Sequence, residues 1–197
     1  SDKRCMTKEE FIQRFQMQSL PVSAHKFRYQ QQLKSAAVLI PILSYNNQLE
    51  VVLTKRASHL THHPGQVSFP GGKVEKFDLD ITATALRETH EEIGLEPSCI
   101  DVIGQLQPYQ TISGYEVTPI IAMVSNQKSY HIDKNEVAEV FHVPLTHFLH
   151  RQHHIQIPVY HYGKQHNVHF MPYKKYNIWG ATAAMLHDLS TLLNQDN

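Results

Sequence analysis

Residues 71–95 read GGKVEKFDLDITATALRETHEEIGL, and the second half of this stretch sets three glutamates on one short segment. Glu88 and Glu92 are four residues apart, and Glu91 lies three beyond Glu88. On a helix of ~3.6 residues per turn these carboxylates share one face, where like charges repel by a few tenths of a kcal/mol per pair. A bound divalent cation turns that repulsion into attraction. An oxygen-only ligand set favours Mg²⁺ or Mn²⁺ over zinc. The helix has its own signals: Asp78 or Asp80 as N-cap, an apolar stripe at Ala83, Leu86, Ile93 and the Ala/Thr run, and Gly94 as a left-handed stop. Ahead of it, residues 69–72, FPGG, read as a loop whose Gly71 and Gly72 let backbone amides approach an anionic ligand closely. A glycine loop, a helix and clustered carboxylates suit a polyphosphate held through a metal. The plain alternative is a solvated acidic helix face.

The string Arg87-Glu88-Thr89-His90-Glu91-Glu92-Ile93-Gly94-Leu95 resembles the second half of the box that marks the Nudix hydrolases, which cleave a nucleoside diphosphate linked to another group. Arg87 follows Gly72 by one residue more than the family's usual spacing, and the early acid is Asp78 rather than glutamate. Both features are similar to the coenzyme A pyrophosphatase branch. So is the upstream run LTKRAS (53–58) followed by GQVSFPGG (65–72). Where that branch carries an arginine four residues before the glycine, this chain has Thr61, followed by His62 and His63. Threonine and neutral histidine cannot reproduce a bidentate phosphate contact.

The resemblance implies a mixed sheet between helices and a Mg²⁺ or Mn²⁺ cofactor. Glu88, Glu91 and Glu92 are the implied metal ligands, with Glu91 either a third ligand or a residue that hydrogen-bonds one. Glu88, Glu91 and Arg87 are the implied catalytic residues, Arg87 orienting an acid with Asp78 as its partner. Arg56, Gly71 and Gly72 are the implied substrate-binding residues, and Lys55 and Lys73 are further basic side chains within reach of phosphates. The general base is Glu88 or a carboxylate from a later loop, with Glu136, Glu139 and Glu116 as candidates. Glu136 and Glu139 lie in NEVAEVFHVPL (135–145), a string similar to the later part of the same branch.

Two classes of function follow. The first is a pyrophosphohydrolase splitting coenzyme A, or its acyl and oxidised forms, into an adenosine bisphosphate and a phosphopantetheine product. Within that class the alternative is a hydrolase of dinucleotides or nucleotide sugars. The second is a binding module that keeps the Nudix scaffold without catalysis, and the self-repelling glutamates argue against it.

Composition bounds the reading. The 197 residues suffice for one sizeable core and favour a single domain over 1–197. Lys plus Arg number 18 and Asp plus Glu number 18, so no global field draws nucleic acid or an anionic membrane. The expected partner is a small diphosphate resembling coenzyme A, with neither nucleic acid nor membrane, and a homodimer is left open. Cys5 and Cys99 make no metal spacing, and no signal-like or membrane-length apolar run is present, which fits a cytoplasmic setting. The fifteen histidines, His62-His63 and His153-His154 among them, lack the spacing of a closed zinc site and read as surface or loop residues.

Along the chain, Thr7 with Glu10 makes a capping box for a helix over about 7–20, with Phe11 and Phe15 facing inward and Pro21 closing it. Strands are expected at 36–43 and 49–56, around an Asn46-Asn47 turn, and at 100–107, 116–124 and 137–143, the last with a helical start as the alternative. A short helix over 146–151, strands at 155–162 and 168–173 around Gly163, and a packing helix over 179–193 complete the pattern. Strands and helices without regular alternation give an α+β fold.

Overall fold

The structure is a computed structural model that describes residues 5–17, 32–125 and 129–194. The first helix, α1 (Lys8–Met17), opens with the expected capping box: Thr7 N–H donates to Glu10 Oε2 at 3.0 Å, and Glu10 N–H donates to Thr7 Oγ1 at 3.2 Å. Phe11 and Phe15 are its buried face. The expected end of this helix near residue 20, with Pro21, lies outside the described residues.

Strands β1 (Lys34–Tyr45) and β2 (Gln48–Arg56) form the expected antiparallel hairpin. Asn46 and Asn47 both take positive φ, 49° and 58°, which matches the right-handed twist of the flanking strands. On the other side of β1 runs β7 (Tyr115–Val124), in parallel, so the sheet is mixed. Side chains of β1 alternate between two cores: Ala36, Ile40 and Ile42 face one, while Ala37, Leu39 and Leu43 face the other. A strand covered on both faces reads as a continuous apolar run, which is why 36–43 shows no polar alternation.

Three short strands escaped the sequence reading, two of them before residue 80. β3 (Val67–Ser68) pairs with β2, and β4 (Gly71–Lys73) pairs antiparallel with the first half of β1, where β2 has diverged. The FPGG segment is therefore not a free loop: Gly71 and Gly72 are strand residues, held to Val38 and Ala37 respectively. Helix α2 (Ile81–Ile93) follows, capped by Asp80, whose carboxylate accepts the Ala83 N–H at 2.7 Å. Gly94 closes it at φ 71°. Its buried face is Thr84, Ala85, Thr89, Glu92 and Ile93, so the Ala/Thr run and Ile93 face inward as expected while Ala83 and Leu86 are only half-buried.

β5 (Ile100–Gln105) pairs with β7 and accounts for the strand expected over 100–107, ending two residues short of it, while a further short strand, β6 (Tyr109–Gln110), pairs with the start of β7. β8 (Val137–Pro144) is a strand throughout and pairs with β2. After α3 (Leu145–Leu149), β9 (Ile155–His161) and β10 (Lys164–Phe170) form a separate two-stranded sheet, and α4 (Gly180–Leu193) ends the fold. Helix α2 packs on β1, β4, β7 and β8 from one side of the main sheet, and α4 joins α1, α3 and β10 on the other. Among the described residues no helix is long and apolar enough to cross a membrane.

His62, His63, His90 and His150 are exposed as expected, whereas other histidines pack together. His169 is buried, and the His169 and His187 rings lie 5.0 Å apart, with His154 a further 5.4 Å from His187. His147 stacks on His153 at 4.3 Å. Burial pulls His147 and His154, both half-buried, below the usual imidazole range.

Candidate active site

Arg87 organises the acidic face of α2. Its guanidinium makes a fork to Asp78, Nε to Oδ1 at 2.9 Å and Nη2 to Oδ2 at 3.0 Å, while Nη2 also reaches the Lys73 carbonyl of β4 at 3.1 Å. Asp78 accepts two further hydrogen bonds, from the Glu75 N–H and the Thr84 hydroxyl, both at 2.8 Å. The Arg87 fork, then the Glu75 N–H, hold the Asp78 carboxyl well below the usual carboxylate range, and Asp78 in turn raises Arg87. The remaining arm, Nη1, donates to Glu88 Oε1 at 2.8 Å. Arg87 thus ties β4, the turn before α2 and the first box glutamate into one unit through charge-assisted bonds. The sequence placed Asp78 as N-cap or as partner of Arg87; it is the partner, and Asp80 is the cap.

Gly72 sets how close Glu88 comes. A Cβ at Gly72 would stand 2.5 Å from the Glu88 carboxylate, so only glycine lets this acid lie against β4. Gly71 serves a different contact, since a Cβ there would fall 2.2 Å from the Ala37 carbonyl of β1. Its N–H also pulls the pKa of the Glu92 carboxyl downward. Both glycines make close approaches, to the sheet and to the acids.

Glu92 is 7% exposed and carries a raised pKa of about 8. Burial is the main cause, followed by the negative charges of Glu136 and Glu88, against the opposing pull of Arg56 and of the Gly71 N–H. Glu88 is also raised, by burial first, with Glu91 and Glu136 adding to it against the Arg87 hydrogen bond. Glu91 points outward, 58% exposed and 3.5 Å from Arg87 Nη1.

Sequence could not choose among Glu136, Glu139 and Glu116, but the fold separates them. The segment before β8 is fastened to the end of α2, His131 N–H donating to Ile93 O at 3.0 Å and Asp133 N–H to Glu92 O at 2.9 Å. Its last residue, Glu136, accepts the Ala57 N–H on its carbonyl at 2.9 Å and projects its charge onto both Glu88 and Glu92. Glu139 is engaged elsewhere, accepting the Tyr176 hydroxyl and pairing with Lys175 at 3.4 Å. Glu116 sits at the start of β7, in register with Ser35 and Gln110. Arg56 ends β2, bonded to the His62 carbonyl at 3.4 Å, and supplies positive charge to Glu92. Thr61, His62 and His63 are exposed.

Three coupled carboxylates, one of them buried and resisting ionisation, form an all-oxygen donor set of the kind hard divalent cations prefer. As they stand, no three His, Cys, Asp or Glu side chains among the described residues converge as a ready metal cage, and Glu88 is turned onto Arg87. The chemistry of the donors fits a cation, and the Arg87 contact engages only one oxygen of Glu88. Fold and site together define a mixed-sheet protein that presents clustered carboxylates beside a Gly-Gly strand.

Comparison with known proteins agrees with that class. The NUDIX domain model matches residues 33–163. Proteins of Enterobacter sp. (strain 638) and Escherichia fergusonii, both named Uncharacterized Nudix hydrolase NudL, are each 37% identical over 94% of this chain and 94% of their own length. A solved structure, the Nudix hydrolase RenU from M. Smegmatis, shares the fold at 22% identity, with a TM-score of 0.50 over 61% of this chain and 75% of that one. The chain belongs to the Nudix family, hydrolases of diphosphate bonds that in general use divalent metal ions.

Proposed function

We propose that this protein is a pyrophosphohydrolase, dependent on Mg²⁺ or Mn²⁺, that splits the diphosphate of coenzyme A or a derivative into adenosine 3′,5′-bisphosphate and a phosphopantetheine product. The observation that carries the reaction type is the electrostatic coupling of Glu88 and Glu136 to the buried Glu92 carboxylate. The substrate assignment rests on the upstream LTKRAS and GQVSFPGG runs and the longer box spacing.

Glu88, Glu91 and Glu92 would hold the metal, which when bound neutralises phosphate oxygens and lowers the pKa of water. Arg87 holds Glu88 in place, and Asp78 holds Arg87. Glu136 takes the proton of the attacking water as its oxygen bonds to phosphorus and the bridging oxygen departs with the other phosphate. Arg56 offsets charge on the substrate, and Gly71 and Gly72 leave the room in which the phosphates approach. The whole chain acts as one Nudix domain, with α1 and α4 closing the face opposite α2. Two free cysteines, Cys5 and Cys99, suit a reducing cytoplasm. A homodimer would pair through the exposed row Ile155, Ile157 and Val159 of β9, and light scattering at twice the 22.7 kDa chain mass would register it, whereas a monomer mass would exclude it.

A competition panel with mass analysis of products tests the reading. Coenzyme A should give a higher kcat/KM than ADP-ribose or diadenosine polyphosphates. Thr61→Arg should raise it further for coenzyme A, by one to two orders of magnitude if it restores a charged hydrogen bond of ~1.5–3 kcal/mol. A clear preference for a nucleotide sugar or dinucleotide overturns the coenzyme A assignment and leaves the diphosphate chemistry standing.

A further inference from the structure

Beside the C-terminal end of α2, three side chains form a hydrogen-bonded chain outside the carboxylate site. Glu50 on β2 and His142 on β8 emerge on one face of the sheet, since Glu50 is two residues from Val52, the cross-strand partner of His142. Glu50 Oε2 lies 2.8 Å from His142 Nδ1, and His142 Nε2 lies 2.7 Å from the Tyr130 hydroxyl. A carboxylate only accepts, so Nδ1 carries the imidazole proton and Nε2 accepts the Tyr130 O–H. Burial, then the negative charge of Glu50, pushes Tyr130 up to about 12, which keeps the proton on the donating hydroxyl. All three residues are half-buried, and the Tyr130 and His142 rings meet edge to face at 5.7 Å. Polar groups withdrawn from water in this way are held to one geometry by their partners.

Tyr130 opens the segment that delivers Glu136. Its ring and Ile132 pack on the cluster that includes Val52, Ile93, Leu95 and Val137, while the backbone at 131 and 133 bonds the end of α2. The seating is close, since a Cβ at Gly94 would stand 2.7 Å from the His131 Cβ. The segment then turns at Asp133, whose carbonyl accepts the Glu136 N–H at 3.1 Å and the Val137 N–H at 2.9 Å. Its far end is tied to the residues after β2, by the Ala57 N–H on the Glu136 carbonyl and by the His59 ring, 3.0 Å from the Asn135 carbonyl. Its near end is tied to the sheet through Tyr130. Glu50 and His142 belong to paired strands, so a Tyr130 side chain locked from the sheet sets the path of residues 131–136 over α2, and with it the reach of the Glu136 charge to Glu88 and Glu92.

We propose that Tyr130, His142 and Glu50 are positioning residues that lock the segment carrying Glu136 and keep its carboxylate on Glu88 and Glu92. The consequence for turnover rests on Glu136 acting as the proton acceptor, as in the reading above. The experiment is a double-mutant cycle between Tyr130→Phe and Glu136→Gln in the full chain with Mg²⁺, on coenzyme A or ADP-ribose, whichever turns over faster. Hydrogen exchange by mass spectrometry on the chelator-treated protein accompanies it. Tyr130→Phe keeps the ring and should lower kcat about 10- to 100-fold with KM within about threefold. In the Glu136→Gln background the same change should cost less than about threefold, because no base is left to misplace. Amide exchange over residues 131–136 should be at least about fivefold faster in Tyr130→Phe. His142→Gln still offers Tyr130 an acceptor and should stay within about fivefold of the parent kcat, whereas the shorter His142→Asn should fall with Tyr130→Phe. Equal losses in both backgrounds, unchanged exchange, or equal kcat in the two His142 variants overturns the proposal. An impaired Glu136→Gln beside an unimpaired Tyr130→Phe overturns this proposal alone, and parent kcat in Glu136→Gln overturns it together with the base assignment. Faster exchange in a protein that hydrolyses neither substrate overturns the hydrolase reading alone.

Discussion

Glu92→Gln separates stability from function. In the metal-free protein the folded state raises Glu92 from an ordinary 4.5 to about 8. A group raised in the folded state contributes stability that is fully present below its unfolded pKa and is lost as pH rises through the folded one. The window here is pH 4.5 to 8. At ~1.4 kcal/mol per tenfold change in proton affinity, the loss between pH 5 and pH 8.5 has a ceiling of ~4 kcal/mol. Glu88 and Glu136 share the coupling, so ~2–4 kcal/mol is the realistic range, or on the order of 10 °C in Tm for a chain of this size. A glutamine keeps the shape and carries no ionisable proton. Chelator-treated Glu92→Gln should therefore melt higher than the parent at pH 8.5 and close to it at pH 5, keeping only the smaller slope due to Glu88, which is raised in the same sense. The same substitution should lower turnover by orders of magnitude. The assay is thermal unfolding by circular dichroism at both pH values in chelator. Equal pH slopes in variant and parent would refute the reasoning, because Glu92 would then ionise as freely folded as unfolded.

Asp78→Asn should release Arg87 from its fork and let Glu88 drift, lowering activity or metal affinity by about 10- to 100-fold, the usual cost of losing a ligand's supporting partner. Asp78 is lowered in the folded state, so its stabilising effect is fully present above its unfolded value of 3.8 and is lost only as pH falls through the lower folded value; the gap between parent and variant melts should be full at pH 7 and only partly closed at pH ~3, as paired melts would register. Gly72→Ala and Gly71→Ala should diverge. The first pushes on the movable end of Glu88 and should cost activity with little loss of Tm, whereas the second strikes the β1 backbone and should destabilise by ~1–3 kcal/mol or more in urea titration. Matching effects in both assays would contradict the distinct contacts assigned to the two glycines.

Local chemistry was readable in the sequence and long-range contact was not. The α2 cap at Asp80, the stop at Gly94, the α1 capping box and the Asn46-Asn47 turn were legible because each is fixed by residues within four positions of one another. β4 was not, since a Gly-Gly strand has no side-chain period and its partner, β1, lies more than thirty residues upstream. Nor could the acid that joins Glu88 and Glu92 be picked from Glu136, Glu139 and Glu116, because backbone bonds from residues 131 and 133 to α2 decide it. A signal was nonetheless present in Asp133-x-Asn135, where the Asp133 carboxylate accepts the Asn135 N–H at 2.9 Å and fixes the turn that carries Glu136. The histidines read as surface residues because their spacing has no ligand pattern, yet β10, α3 and α4 bring several together in a packed layer.

The central claim is that the clustered carboxylates work through a divalent metal on a diphosphate. Its most direct test is single-turnover hydrolysis of coenzyme A in ¹⁸O-water by chelator-treated protein, before and after Mg²⁺ or Mn²⁺ is returned, with products resolved by mass. The account predicts no product in chelator, then adenosine 3′,5′-bisphosphate and a phosphopantetheine fragment once metal is restored, with one ¹⁸O in one of the two products and no recovery in Glu92→Gln. Full turnover in excess chelator, or normal turnover by Glu92→Gln with metal, would contradict it.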